Sequence, residues 1–279
     1  MNVGELYSLC LSKLKNSGNE DYRFDCDCLF DSITGIDKVK RITKENLPVS
    51  REACDALISA VDRRMQGEPL QYILGKWSFM GYDFFVGNGV LIPRPETEML
   101  VLRANEIIKE KKLNTVFDLC AGTGAIGLSI AKMNPLCKVY LFEKYDEAFY
   151  YLEKNIASFG LKNVTAVKCD ITEFDISILP KADIMVSNPP YIKSDEILTL
   201  QSEVLKEPIT ALEAGEDGLE FYRAIKANWL SSLKKDGVIL LECGDGQSTD
   251  VISCFDVAAK SSSVYYDFNN IDRVVEINV

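Results

Sequence analysis

The chain of 279 residues contains no histidine. Every Ser-His or Cys-His nucleophile arrangement is therefore excluded, as is a histidine general base. Long apolar runs are missing too: the longest uncharged stretch through the motifs, Leu119 to Ala131, is 13 residues and carries Gly, Thr and Ser. A membrane span needs roughly 20 apolar residues. The stretch Met1-Asn2-Val3-Gly4-Glu5 has no basic region followed by an apolar one, so no signal peptide is expected and the cytoplasm is the expected compartment. Cys26-Asp27-Cys28 has the wrong spacing for a zinc knuckle and no second pair follows, so no metal is expected. The nine cysteines are an odd number, and Cys54, Cys120, Cys169 and Cys243 sit inside apolar patterns. They read as reduced core thiols.

A basic excess is also absent. With 31 Lys and Arg against 42 Asp and Glu, the net charge is −11. Residues 1–80 hold 11 basic and 12 acidic residues, so residues 81–279 carry −10. A surface that grips extended phosphate backbone needs a Lys or Arg at each contact, so no stable nucleic-acid binding is expected. What remains, 47% hydrophobic and 26% charged, is the composition of a globular protein able to bury a full core.

Residues 1–75 read as a small helical domain. Apolar stripes run through Leu6, Leu9, Leu11 and Leu14, through Phe24, Cys28, Leu29 and Ile33 up to Gly35, and through Cys54, Leu57, Ile58, Val61 and Met65. The last stripe has Ser50 as N-cap and Gly67 as stop. The domain reads either as a folding or dimerisation module or as a docking surface for a macromolecular substrate. Residues 76–92 change to aromatic and β-branched residues around Gly87-Asn88-Gly89 and read as a hairpin linker. From 93 to 279 strands and helices alternate. Strands are expected at 116–120, 139–143, 164–168, 182–187 and 237–242, helices at 145–159, 218–234 and near 247–259, and an antiparallel hairpin from Ser263–Phe268 and Arg273–Val279. Repeated βα units imply an α/β fold, a doubly wound parallel sheet covered on both faces.

The chemistry is expected at Ala182-Asp183-Ile184-Met185-Val186-Ser187-Asn188-Pro189-Pro190-Tyr191. The apolar run is a buried strand, and the prolines cannot continue it because they lack the backbone N–H. The chain must leave the sheet at Asn188, on the carboxyl edge where open α/β sheets bind ligands. A planar NH2 group has two donors; the Asn188 side-chain oxygen and the Pro189 backbone carbonyl can accept one each, while the Tyr191 ring covers the flat face. Such a corner suits a carboxamide or a base amine. Upstream, Pro93-Arg94-Pro95-Glu96-Thr97-Glu98 reads either as helix capping or as a rigid polar wall.

Gly122-x-Gly124-x-x-Gly127 after a strand, with Glu143 nineteen residues past Gly124, formally meets the dinucleotide fingerprint. An NAD-dependent oxidoreductase is thus one reading. S-adenosylmethionine is favoured by three features. Asp118 is placed to meet a cationic amino-acid portion, Asp170-Ile171 to meet adenine, and the Asn-Pro-Pro-Tyr turn sits where a methyl acceptor should lie. A dehydrogenase also moves a proton with its hydride, and the commonest group for that is missing here.

The chain resembles the HemK/PrmC family of protein-(glutamine-N5) methyltransferases over nearly its whole length. The resemblance is carried by Gln71-Tyr72-Ile73-x-Gly75, Phe79-x-Gly81-x-x-Phe84, Leu91 through Glu98, Asp118 through Gly124, and Ser187 through Ile192. It continues in Glu207-Pro208-x-x-Ala211-Leu212, Asp217-Gly218-Leu219 and Leu241-Glu242-x-Gly244. It implies a class I, Rossmann-like methyltransferase that moves a methyl group from S-adenosylmethionine, leaving S-adenosylhomocysteine, to the glutamine of a Gly-Gly-Gln motif in peptide chain release factors. It also implies that Cys120, Ala121, Gly122, Thr123 and Gly124 line the cofactor's amino-acid end, Glu143 its ribose, and Asp170 and Ile171 its adenine. Asn188, Pro189, Pro190 and Tyr191 would form the catalytic corner, with Asn188 also at the cofactor, and Arg94 and Glu96 would face substrate. Two departures stand out: Cys120-Ala121 where the family often has glycine and threonine or serine, and Glu143 where aspartate is commoner. The Asn-Pro-Pro-Tyr turn is shared with adenine-N6 methyltransferases, which remain the alternative.

Overall fold

A computed structural model describes residues 1–279. The chain forms two compact units, Met1–Lys76 with Gln201–Lys206, and Trp77–Leu200 with Glu207–Val279. No helix is long and apolar enough to cross a membrane.

The first unit contains α1 (Val3–Asn16), α2 (Tyr22–Thr34), α3 (Lys38–Thr43), α4 (Arg51–Met65) and α5 (Leu70–Leu74). Asn2 and Glu5 close a reciprocal capping box on α1. That start places Val3, Leu6, Cys10 and Leu14 on the buried stripe, at i, i+3, i+7 and i+11. Leu9, expected inside, is 40% exposed. In α2 the buried residues are Asp25, Cys26, Leu29 and Phe30, while Phe24 turns outward at 56% exposure. Ser50 caps α4 as expected, its hydroxyl accepting from the Ala53 N–H at 3.2 Å. The helix stops at the Gln66 cap, one residue before Gly67.

An ion network around the buried Asp25 ties this unit together. Arg64 Nε donates to Asp25 Oδ2 at 2.6 Å and Arg64 Nη2 to Glu203 Oε2 at 2.8 Å. Asn19 Nδ2 also donates to Asp25 Oδ2, at 2.6 Å.

In the second unit β1 (Lys76–Phe79) and β2 (Tyr82–Phe85) form a two-stranded sheet. They turn at Met80-Gly81, both at positive φ (52° and 74°), which suits a tight hairpin. The turn is not at Gly87-Asn88-Gly89, and residues 90–92 form no strand. Phe79 and Phe84 bury themselves in the core below α6 (Glu98–Lys111).

The main sheet has seven strands: β3 (Thr115–Leu119), β4 (Lys138–Glu143), β5 (Val164–Lys168), β6 (Ala182–Ser187), β7 (Leu233–Glu242), β8 (Ser261–Tyr266) and β9 (Asp272–Asn278). Their order is β5-β4-β3-β6-β7-β9-β8, parallel from β5 to β7 and antiparallel across β7-β9 and β9-β8. Successive side chains of a strand point to opposite faces, so two cores form. Val116, Ile184, Val186, Val238 and Leu240 pack with α6, α7 (Ala125–Met133) and Leu152 of α8 (Asp146–Phe159). Phe117, Met185, Ile239 and Leu241 pack with Tyr222 of α9 (Glu220–Ala224), Trp229, and Val251 and Phe255 of α10 (Ser248–Phe255).

The helix expected over 218–234 is broken. After α9 come a π turn at Ile225–Trp229 and a 3₁₀ turn at Leu230–Ser232. The wider turn seats Trp229 in the core, with its indole Nε1 donating to the Ile171 carbonyl at 2.7 Å. Such widenings insert a side chain that a regular helix would not accommodate. Helix α10 ends at Phe255, short of 259, and the late hairpin begins two residues earlier than expected, at Ser261.

Arg64→Ala is expected to destabilise the helical unit by about 3–5 kcal/mol, because it leaves the buried Asp25 charge without its counter-ion. Thermal unfolding followed by circular dichroism checks this, and an unchanged first transition would contradict it.

Candidate functional site

Strand order reverses between β3 and β6, and the carboxyl ends of the parallel strands open there onto a cleft of about 910 Å³, counting its solvent-open part. Crevices at such switch points are where doubly wound sheets bind ligands.

The floor is the turn after β3. Cys120, Gly122 and Gly124 hold φ of 58°, 56° and 80°. Cys120 therefore adopts a left-handed backbone that costs a non-glycine residue about 1 kcal/mol or more. Gly124 is further constrained: a Cβ there would lie 2.6 Å from Leu152 Cδ1.

Glu143 ends β4 and fastens the turn. Its Oε2 accepts from the Gly122 N–H at 2.8 Å, and its Oε1 from the N–H groups of Lys144 and Tyr145, both at 2.9 Å. Burial pushes its carboxyl above the ordinary range, against those three backbone hydrogen bonds. Oε1 is filled by its two bonds, while Oε2 keeps acceptor capacity; the side chain lines the cleft. At the end of β5, Asp170 accepts from the Thr172 backbone and hydroxyl at 2.9 and 2.7 Å and pairs with Lys144 at 2.6 Å. Burial pushes its carboxyl up, but Lys144 and Thr172 outweigh burial and hold it below the usual value. Ile171 beside it gives a buried apolar wall.

Beyond β6, Asn188 and Pro190 line the cleft together with Arg94 and Thr97. The Asn188 Nδ2 donates to Thr97 Oγ1 at 3.3 Å. Arg94 is ion-paired with the buried Glu207, whose Oε2 also accepts from the Ile92 N–H at 3.0 Å. Its partner is thus 113 residues away, not the neighbouring Glu96 or Glu98. Glu98 instead accepts from the Met80 N–H at 2.6 Å.

Of the residues singled out from sequence, Cys120, Ala121, Gly122, Thr123, Glu143, Asp170, Ile171, Asn188, Pro190 and Arg94 come together on the wall. Gly124 shapes the turn behind them. Four others are placed differently. Asp118 is fully buried beneath the turn, its Oδ2 accepting from the Gly127 N–H at 2.8 Å and its Oδ1 without a partner. Pro189 is buried behind Asn188, and Glu96 is exposed outside the cleft wall. Tyr191 is also off the wall: its backbone carbonyl accepts from Gln247 Nε2 at 2.9 Å, and its ring faces Gly244, where an added Cβ would meet Cδ2 at 3.2 Å. Sequence reasoning gave no site role to Thr97, Glu207 or Glu242. Only their recurrence in the motifs Pro93–Glu98, Glu207-Pro208 and Leu241-Glu242-x-Gly244 pointed toward them.

A doubly wound sheet with a glycine turn, a strand-end acid and a polar proline-locked corner at its switch point defines a methyltransferase-like site. The fold agrees with solved structures: the catalytic domain of hMettl16 in complex with a MAT2A 3′UTR hairpin matches with TM-score 0.57 and 15% identity over 82% of each chain. A methyltransferase from Pyrococcus furiosus matches with TM-score 0.52 and 17% identity over 72% of this chain and 90% of that one. Residues 5–75 match the family model for the PrmC N-terminal domain, and residues 97–217 that for the methyltransferase small domain. The chain is 39% identical to release factor glutamine methyltransferase of Thermodesulfovibrio yellowstonii over 86% of each chain. It is 35% identical to that of Clostridium acetobutylicum over 99% of this chain and 98% of the relative. The chain belongs to the release factor glutamine methyltransferase family.

Asp118 gives a pH test of the turn. Burial raises its carboxyl from 3.8 to about 8. The folded protein therefore binds this proton more tightly than the unfolded chain, and stability falls as pH rises from about 4 through about 8. Asp118→Asn keeps an acceptor for Gly127 N–H and removes the buried charge. Its melting temperature should exceed that of the parent at pH 8–9 and approach it near pH 5, whereas a constant difference across pH would rule this out.

Proposed function

We propose that this chain transfers a methyl group from S-adenosylmethionine to the side-chain amide nitrogen, N5, of the glutamine in the Gly-Gly-Gln motif of peptide chain release factors. The observation that carries the reading is the juxtaposition, in one cleft, of the Glu143-fastened glycine turn and the Asn188 corner. The donor set fits the cofactor. Glu143 Oε2 retains a lone pair for a ribose hydroxyl, Ile171 offers an apolar contact and Asp170 a polar one to adenine, and the left-handed turn at 120–124 lets backbone approach the amino-acid end.

Bound there, S-adenosylmethionine supplies an electrophilic sulfonium methyl group. The task of the chain is placement. The Asn188 side-chain oxygen and the Pro189 carbonyl accept the two amide hydrogens and fix the nitrogen, which is weakly nucleophilic because its lone pair is delocalised. Arg94, on the cleft wall beside Asn188, frames the approach and is held rigid by Glu207. Well-oriented placement lowers a barrier by roughly 7–11 kcal/mol. No strong base is required, since the methylated amide loses its proton to water once delocalisation returns. The helical unit docks the release factor, the −11 charge disfavours extended nucleic acid, and work on translation factors locates the activity in the cytoplasm.

Incubating release factor with the protein and labelled S-adenosylmethionine, then mapping by mass spectrometry, should find one methyl group on the Gly-Gly-Gln glutamine. Asn188→Ala should lower turnover by about 10–100-fold with the fold intact, since an unpaired buried N–H costs roughly 1–3 kcal/mol. Labelling of adenine in DNA at an equal rate would refute the assignment.

Glu143→Ala should weaken S-adenosylmethionine binding in calorimetry by at least about tenfold, the loss of roughly one charge-assisted hydrogen bond, while release-factor affinity stays unchanged. Tight NAD binding with none for S-adenosylmethionine would overturn the cofactor assignment.

A further inference from the structure

Glu242, the last residue of β7, has no part in the mechanism above. Its side chain is 3% exposed, and its Oε2 has no hydrogen-bond partner. In the parallel register of β6 and β7 Ser187 lies opposite Leu241, so Asn188 and Glu242 follow side by side at the two strand ends; Thr97 and Asn188 help hold the carboxyl down, and these two are themselves joined by the 3.3 Å contact from Asn188 Nδ2 to Thr97 Oγ1. The backbone is pinned independently of the side chain, because Tyr222 donates its hydroxyl to the Glu242 carbonyl at 2.8 Å.

A carboxamide has one accepting and one donating end, and only one orientation of Asn188 presents its oxygen to an incoming amine. Nδ2 carries two hydrogens. Thr97 takes one, and a buried ionised carboxylate, which can only accept, is suited to the other. We propose that Glu242 is a positioning residue that receives the second Nδ2 hydrogen of Asn188 and so locks its Oδ1 toward the substrate amide. This inference rests on the function proposed above.

The lock depends on ionisation. Burial raises the Glu242 carboxyl from 4.5 to about 7, with Thr97, Arg273 and Asn188 holding it down and Glu96 pushing it up. Of the other groups facing it, Tyr191, Tyr222 and Cys243, each has its own pKa raised and stays neutral through this range. Once protonated, Glu242 becomes a donor, competes for the Asn188 oxygen and favours the flipped amide. Turnover should therefore decline as pH falls below about 7.

The test measures release-factor methylation by the full-length protein between about pH 6 and 8, alongside cofactor binding by calorimetry. In the wild type kcat should fall toward a tenfold loss per pH unit on the acid side. Glu242→Gln keeps an accepting oxygen that does not titrate, so its profile should be flat over the same range. Glu242→Leu, of similar volume and without an acceptor, should lose about 10–100-fold in kcat. Its release-factor KM and cofactor affinity should stay within about threefold of wild type. Melting curves check that both variants fold; should the leucine variant not fold, the glutamine profile decides alone. A glutamine variant with the wild-type acid limb, or a folded leucine variant with near-wild-type kcat, overturns the inference and leaves the proposed function standing. A wild type that binds cofactor and methylates no release factor overturns both.

Discussion

Three backbone N–H groups converge on the Glu143 carboxylate, and the geometry of the cleft depends on that convergence. Through Gly122 it holds the turn after β3, and through Lys144 and Tyr145 it holds the chain that opens α8. Two loops from neighbouring strands are thereby fastened to one buried charge. A carboxylate buried to this degree pays a desolvation cost that only hydrogen bonding offsets, so the turn and the acid stabilise each other. The left-handed residues 120, 122 and 124 are held in that setting by the Gly122 bond to Glu143 together with the backbone bonds of Ala121 to Phe142 and of Gly124 to Ala121.

The same pattern recurs across the sheet. An acidic protein has placed three carboxylates, Asp118, Glu143 and Glu242, below 9% exposure at or just beneath the carboxyl edge. Asp118 supports the turn from below through Gly127, Glu143 faces the cleft, and Glu242 abuts Asn188. Raised carboxyl pKa values gathered in one crevice are a mark of functional sites, because a core without chemistry to perform would use apolar side chains there. Arg94 and Glu207 follow a different logic: a charge pair, one member buried, stiffens the wall.

Much of this was legible without coordinates. Ile184-Met185-Val186 followed by Asn188-Pro189-Pro190 can only be a strand that ends at a polar corner, since proline cannot donate to a ladder. The glycine turn with Glu143 followed from spacing, and the cap at Ser50 from local chemistry. Less legible were the helix faces and boundaries. Leu9 and Phe24 fit a helical stripe as well as Val3 and Cys26 do, and only packing against neighbouring helices chose between them. The break at Ile225–Trp229 arose because Trp229 reaches the Ile171 carbonyl, a partner 58 residues distant.

The sequence by itself determined the order of strands and helices, the place where the chain leaves the sheet and the chemical types available at its edge. These are local properties, set by backbone sterics, proline and glycine geometry and the alternation of apolar residues. Tertiary structure decided which polar groups meet. Arg94 pairs with Glu207 rather than Glu96, Asp118 lies beneath the turn rather than on the wall, Tyr191 faces Gly244, and Glu242 lies against Asn188. Those pairings join residues from nine to more than a hundred positions apart, and they depend on the register and twist of neighbouring strands, which no local pattern encodes.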